Sequence, residues 1–250
     1  MTEVDKFRNA FIAVRDNGEY VSNRSGNTGI GKTLEDAIGV IENNIDAPDL
    51  HGFEIKSQRA LSESYVTLFT KAPTFPRAVN NKLRQTYGSN DSHFADIKVL
   101  HTSIFENRWN THIAGFSYRL QRNDGEKKLY LLVKRMDNNV IVEQDIYWTY
   151  DILNNICLTK LDNLAFIQAD VKKIDTQEHF TFHSCKLYYG LTLDSLLMHI
   201  TNGSIMFDIR IGAYKNPLNT KTYGKSHDHG SGFRIKKEML SSLYKNEQII

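Results

Sequence analysis

The run Ala47-Pro48-Asp49-Leu50-His51-Gly52-Phe53-Glu54-Ile55-Lys56 decides how this chain is read. Side chains two apart on a strand share a face, so Glu54 and Lys56 project together while Phe53 and Ile55 turn the other way. Asp49 lies five residues earlier, and a turn at His51 and Gly52 can bring it back beside Glu54. Two carboxylates and the backbone carbonyl of Ile55 make an oxygen-rich pocket suited to Mg²⁺, a hard cation that keeps several of its waters. Lys56 would hold or deprotonate a water there, a set that suits hydrolysis of a phosphodiester. The same spacing also fits a surface strand carrying an ordinary Glu and an ordinary Lys.

The 250 residues, 40% of them hydrophobic, suffice for one large domain or two small lobes. No apolar run approaches the roughly 18 residues of a membrane helix, and the amino-terminal stretch is charged throughout, so we expect a soluble, intracellular protein. Two cysteines, Cys157 and Cys185, are too few for a disulfide framework or a cysteine zinc site and agree with a reducing compartment. Net charge is only +2, so the chain is not uniformly basic. From Ile205 to Lys237, however, Arg210, Lys215, Lys221, Lys225, Arg234, Lys236 and Lys237 face only Asp208 and Asp228, with Tyr214, Tyr223, His227 and His229 interleaved. That composition suits phosphates and base edges, and also a solvated loop.

Val4, Phe7, Phe11 and Val14 predict an amphipathic helix stopping at Gly18. A second helix is expected over 33–44, with Thr33 as N-cap, Asp36 three residues on, and Leu34, Ala37, Ile38 and Ile41 on one face. Glu35 flanks that stripe, where a carboxylate could reach the Asp49–Glu54 pocket. Strands are expected at 53–57, 65–70, 113–120, 128–135, 140–148, 163–170, 179–189 and 204–211, and one more helix at 191–200. Many strands and few helices argue for a mixed α/β or α+β sheet without regular βαβ winding, and nothing reads as a linker.

Gly26, Gly31, Lys32 and Thr33 satisfy the phosphate-loop pattern GxxxxGK[ST]. A working phosphate loop needs a buried strand to deliver its glycines to a helix amino terminus. Residues 17–25, NGEYVSNRS, offer only Tyr20 and Val21 for such a strand. Nucleotide binding is therefore a rival reading without its strand. His227 and His229 have an HxH metal-ligand spacing but no further ligand motif beside them. The segment TLFTKAPTFPRAVNNKLRQTYG carries Lys71, Arg77, Lys82 and Arg84 with Phe75 and Tyr87, and its two prolines suggest a rigid excursion whose cations would suit phosphates or a minor groove.

Taken together these segments resemble the MvaI/BcnI group of type II restriction endonucleases, relatives of the MutH nicking enzyme in the PD-(D/E)XK superfamily. Asp49, Glu54 and Lys56 fit the superfamily motif, including the literal Pro48-Asp49. NTGIGKTLED, DAPDLHGFEIK, TLFTKAPTFPR, DIRIGAY and HDHGSGFRI match in the same order, with the stronger similarity to the MvaI branch. The phosphate-loop pattern then becomes the lead-in to the helix bearing Glu35.

The resemblance implies an α/β (α+β) restriction-endonuclease-like fold: a central mixed sheet flanked by helices, MutH-like, with catalytic and recognition lobes. It implies a single nuclease unit over 1–250, with the catalytic centre within 30–70 and a major-groove segment within 203–236. Asp49 and Glu54, with the Ile55 carbonyl, become Mg²⁺ ligands; Lys56 becomes the catalytic lysine and Glu35 a supporting acid. Asp208, Arg210, Tyr214, His227, His229 and Arg234 become base-reading residues. The expected activity is sequence-specific cleavage of double-stranded DNA at a CCNGG-type site, CCWGG favoured (W being A or T), by a monomer of the bacterial cytoplasm with a companion DNA methyltransferase. Its rivals are a MutH-like nicking enzyme of repair, a phosphate-loop ATPase, and a DNA-binding module with a dead metal site.

Overall fold

The computed structural model describes residues 1–40 and 47–250. The chain forms two compact units. The first gathers Met1–Val66, Asn154–Ser195 and Lys236–Ile250; the second gathers Thr67–Leu153 and Leu196–Ile235.

The first unit is built on a mixed five-stranded sheet. Its strands run in the order Glu19–Val21, Gln177–Tyr189, Asn163–Ile174, Glu54–Arg59, and Asn246–Ile249 also pairs with Gln177–Tyr189. All pairs are antiparallel except Asn163–Ile174 with Glu54–Arg59, where Leu164 lies beside Glu54. The helix Glu3–Asp16 starts at a reciprocal cap between Thr2 and Asp5 and buries Phe7, Phe11 and Val14, as the periodicity predicts. It joins Ile30 and Leu34 of a second helix over Phe53, Ile55, Ala165, Ile167, Phe180 and Phe182 of the sheet region.

That second helix is Gly29–Ile38, which begins ahead of the expected cap at Thr33. Thr33 does not cap it. Its side chain is buried within the helix, its hydroxyl accepting from the Asn23 amide at 3.4 Å, while Thr28 occupies the cap position without a side-chain bond. Asp36, the expected capping partner, instead accepts from Lys32 Nζ at 2.7 Å and Asn23 Nδ2 at 3.1 Å. Gly39, in the left-handed region, ends the helix. Residues 41–44 of the longer predicted helix, Ile41 among them, lie outside the described residues. Among the described residues, the strand leading toward this helix is Glu19–Val21, three residues long and antiparallel at the sheet edge. Gly26 to Thr33 therefore lacks the buried parallel strand of a phosphate loop.

The second unit holds two sheets. One runs Val66–Thr70, Gly232–Ile235, Ile205–Ala213, Lys98–Ile104, Ser89–Asn90, with Ser226–Asp228 pairing on the far end of Ile205–Ala213. The other is a meander of Asn110–His112, Phe116–Asn123, Lys128–Arg135 and Ile141–Thr149. Trp148 packs edge-on against Phe207 and Phe233, and Phe233 stacks on Phe69, which fills the unit's core with aromatic area. Among the described residues no helix is long and apolar enough to cross a membrane.

The segment carrying the two prolines turns into a helix, Val79–Tyr87. Arg84 on it is not available to a phosphate: it is 1% exposed and donates to the carbonyls of Lys98 (2.8 Å) and Gly224 (2.7 Å) and to Ser226 Oγ (3.0 Å). Lys82 pairs with the buried Glu143, and Tyr87 is buried. A guanidinium with its fixed fork of donors suits such a hub, so Arg84 braces the unit.

Candidate active site

The turn between Asp49 and Glu54 is closed by paired backbone bonds between Leu50 and Phe53 and has both His51 and Gly52 at positive φ. It returns Asp49 Oδ2 to the Ile55 amide, 2.8 Å away. Strand pleating then sorts the next residues. Phe53 and Ile55 enter the core, and Lys56 Nζ meets Glu54 Oε1 at 2.5 Å on the opposite face.

Glu54 is 1% exposed, and its Oε2 has no hydrogen-bond partner among the described residues. Burial pushes its carboxyl above the ordinary value; Lys56 and Lys160 oppose the rise, and the nearby Asp49 charge adds to it. A buried carboxylate oxygen left unpaired is costly unless something occupies it. Asp49, in contrast, is exposed. Glu35 is half-buried on the helix Gly29–Ile38, one turn after Gly31, which approaches Ser57 of the strand carrying Glu54. Among the described residues no three His, Cys, Asp or Glu side chains form a group that could hold a metal, so Glu35 is not gathered with Asp49 and Glu54 into one ligand set, and His227 and His229 lack a third ligand.

One residue that no motif marks completes the cluster. Lys160, just after the helix Tyr150–Thr159, places Nζ 3.7 Å from Glu54 Oε1. The sequence holds no signal for it, because only the parallel pairing of Asn163–Ile174 with Glu54–Arg59 carries it there.

In the second unit the expected base-reading residues do come together. Register puts Met206 opposite Arg234 and Arg210 opposite His101, so Asp208, Arg210 and Arg234 share one sheet face. Asp208 is 5% exposed: Oδ2 accepts from Arg210 Nε at 2.6 Å and lies 3.0 Å from Arg234 Nε, an ion pair without hydrogen-bond alignment, and Oδ1 accepts from Ser103 Oγ at 3.1 Å. Burial lowers the Arg234 pKa, opposed by Asp208. At the end of this face the rings of Tyr214 and His227 lie 4.6 Å apart, and those of His227 and His229 4.5 Å. Asp228 accepts from the amides of Gly230 and Ser231, which fixes the bend that follows. Burial, then the neighbouring His227, lowers the His229 pKa. His101 and Ser103 also lie on this face; the inward alternation of Leu100, Thr102 and Ile104 is the signal that could have found their strand. Lys215, in the loop before His227, pairs with Asp91 at 2.6 Å.

A mixed sheet thus presents an Asp–turn–Glu–x–Lys cluster in the first unit, and the second unit carries a sheet face of arginines and histidines. The MvaI/BcnI restriction endonuclease family model matches residues 9–244. Two solved structures are similar at 35% identity, each over 100% of this chain and 98% of the other: a restriction endonuclease MvaI–cognate DNA substrate complex, with a TM-score of 0.90, and restriction endonuclease MvaI in the absence of DNA, with a TM-score of 0.65. No curated protein sequence matches. The chain belongs to the MvaI/BcnI restriction endonuclease family, and its function is sequence-specific DNA cleavage.

Proposed function

We propose that the cleavage depends on Mg²⁺, acts on double-stranded DNA at a CCNGG-type site with CCWGG favoured, and is carried by Asp49, Glu54 and Lys56. The supporting observation is the buried Glu54 carboxylate, whose Oε2 has no partner among the described residues while Oε1 meets Lys56. The residues fit the ion: two carboxylates and the Ile55 carbonyl are hard oxygen donors, and Mg²⁺ is commonly held by one or two carboxylates plus waters. When bound, it would offset charge developing on the phosphate and lower the pKa of a bound water. Lys56 orients the attacking water, and Glu35 stands as the supporting acid from the neighbouring helix.

The polar face of the second unit is the reading surface, formed by Asp208, Arg210, Tyr214, His227, His229 and Arg234. An arginine can give two hydrogen bonds to guanine O6 and N7, and an aspartate can accept from cytosine N4. Asp208 also aims both arginines, because its carboxylate accepts from one and ion-pairs with the other. The 35% identity to the MvaI–cognate DNA complex supports duplex DNA as the substrate. The enzyme works as a monomer with one centre, nicking each strand in turn, and its host carries a methyltransferase protecting the same sites.

Digestion of a fully sequenced DNA with Mg²⁺, followed by sequencing of the ends, is expected to give one CCWGG-type target; random ends, or none, overturn the proposal. Lys56→Ala is expected to abolish cleavage and leave DNA binding, whereas cleavage retained in that variant refutes the assignment of the centre.

A further inference from the structure

The motif formed by Asp49, Glu54 and Lys56 does not require Lys160, yet the fold delivers it to the same carboxylate. The Lys160 amide donates to Ile156 O at 3.0 Å, closing the helix Tyr150–Thr159. Three residues on, Asn163 Nδ2 donates to Gly52 O at 3.2 Å in the turn that positions Asp49. Between them Leu161 is fully buried, and the Asp162 carbonyl accepts from the Gly190 amide at 2.8 Å. The backbone around Lys160 is thus fixed on both sides, and its ammonium is aimed at Glu54 Oε1, 3.7 Å away.

Stability does not explain this placement. Glu54 already has a direct partner in Lys56 at 2.5 Å, and a second ammonium at 3.7 Å adds little to a pair that burial disfavours. The Lys56 and Lys160 side chains are 24% and 25% exposed, so each can reach a ligand arriving from solvent. The substrate of this centre is a phosphodiester, whose non-bridging oxygens gain negative charge as the phosphorus is attacked. With Lys56 engaged on Glu54, a further fixed cation beside that carboxylate matches this charge.

Resting on the reading of the centre given above, we propose that Lys160 is a second lysine of the active site, one that binds phosphate by donating to a non-bridging oxygen of the scissile phosphate.

The test pairs Lys160→Ala with DNA carrying a methylphosphonate at the scissile position, which replaces a charged oxygen by methyl. Lys160→Ala is expected to slow single-turnover cleavage of ordinary DNA on the order of 100-fold. In EDTA, the wild type is expected to bind the methylphosphonate duplex about tenfold more weakly than the ordinary duplex, and Lys160→Ala to bind both alike. Lys160→Arg should restore part of the rate, and it and Lys160→Gln supply the same comparison should the alanine variant fail to fold. Cleavage within about threefold of wild type overturns the proposal. So does a slowed variant with the full methylphosphonate penalty, which would make Lys160 a partner of Glu54 alone. Lys56→Ala runs alongside: cleavage surviving in that variant overturns the reading of the centre, while loss there with full activity in Lys160→Ala overturns only the second lysine.

Discussion

Glu54 carries the tension between stability and function in one side chain. Its carboxyl titrates above the ordinary value of 4.5 because burial penalises the charged form more than the two lysines favour it. The sign follows from linkage. A carboxyl raised in the fold contributes stability that is complete below its unfolded value and is lost as pH rises through its folded value. Glu54→Gln, permanently neutral and nearly isosteric, is therefore expected to melt higher than wild type in mildly alkaline buffer and at the same temperature in acid below the unfolded value, while losing cleavage. Equal melting temperatures at both ends would show that the lysines fully offset the burial. At this scale the sequence is most readable where the chemistry is nearly consecutive: Asp49, Glu54 and Lys56 are close in the chain, and a strand's period of two places the last pair with no further knowledge. Lys160 is invisible for the opposite reason, and although alternation marks the strand of His101 and Ser103, only strand pairing brings all three to their partners.

At the scale of elements, the helix Gly29–Ile38 shows why boundaries are harder to read than faces. The apolar stripe is legible, but Thr33 resembles a cap only because threonine is common there; the start lies at Gly29, where space decides. A Cβ on Gly29 would stand 2.3 Å from Arg24 O and 2.7 Å from Ser22 Oγ. Gly29→Ala is expected to cost about 1–3 kcal/mol in denaturant unfolding, because the obstruction includes backbone that must shift. Lys32→Ala, which removes a partly exposed pair with Asp36, is expected to unfold at nearly the wild-type denaturant concentration and to cleave normally. A large loss of cleavage from Lys32→Ala with stability unchanged would revive the phosphate-loop reading. Arg84 is the complementary case. Its basic surroundings suggest a phosphate contact, yet the side chain is consumed by two carbonyls and a hydroxyl, and composition alone cannot tell an exposed arginine from a buried hub.

On the scale of the whole molecule, the mixed sheet and the family are legible because several short segments keep their order along the chain, a constraint far tighter than any one of them. Less legible is the division into units. The first is assembled from three separate stretches and the second from two, so no single cut in the sequence separates them. A chain stopped after Ile235 keeps every residue of the second unit and lacks the strand Asn246–Ile249, which pairs with Gln177–Tyr189, and the buried Tyr244. It is expected to lose cleavage and the cooperative unfolding of the first unit; wild-type cleavage by that chain would show the last stretch to be dispensable.

The interleaving takes on a further meaning when the chain is considered as it leaves a ribosome. Asp49, Glu54 and Lys56 emerge early, but Leu164, which pairs with Glu54, comes only after Thr67–Leu153 has been made, and Lys236–Ile250 comes after the whole of the second unit. The last strand of the sheet that carries them, Asn246–Ile249, is therefore added only after every residue of the second unit. A nascent chain that has not yet reached Asn246 thus holds Glu54 and Lys56 on a sheet still one strand short.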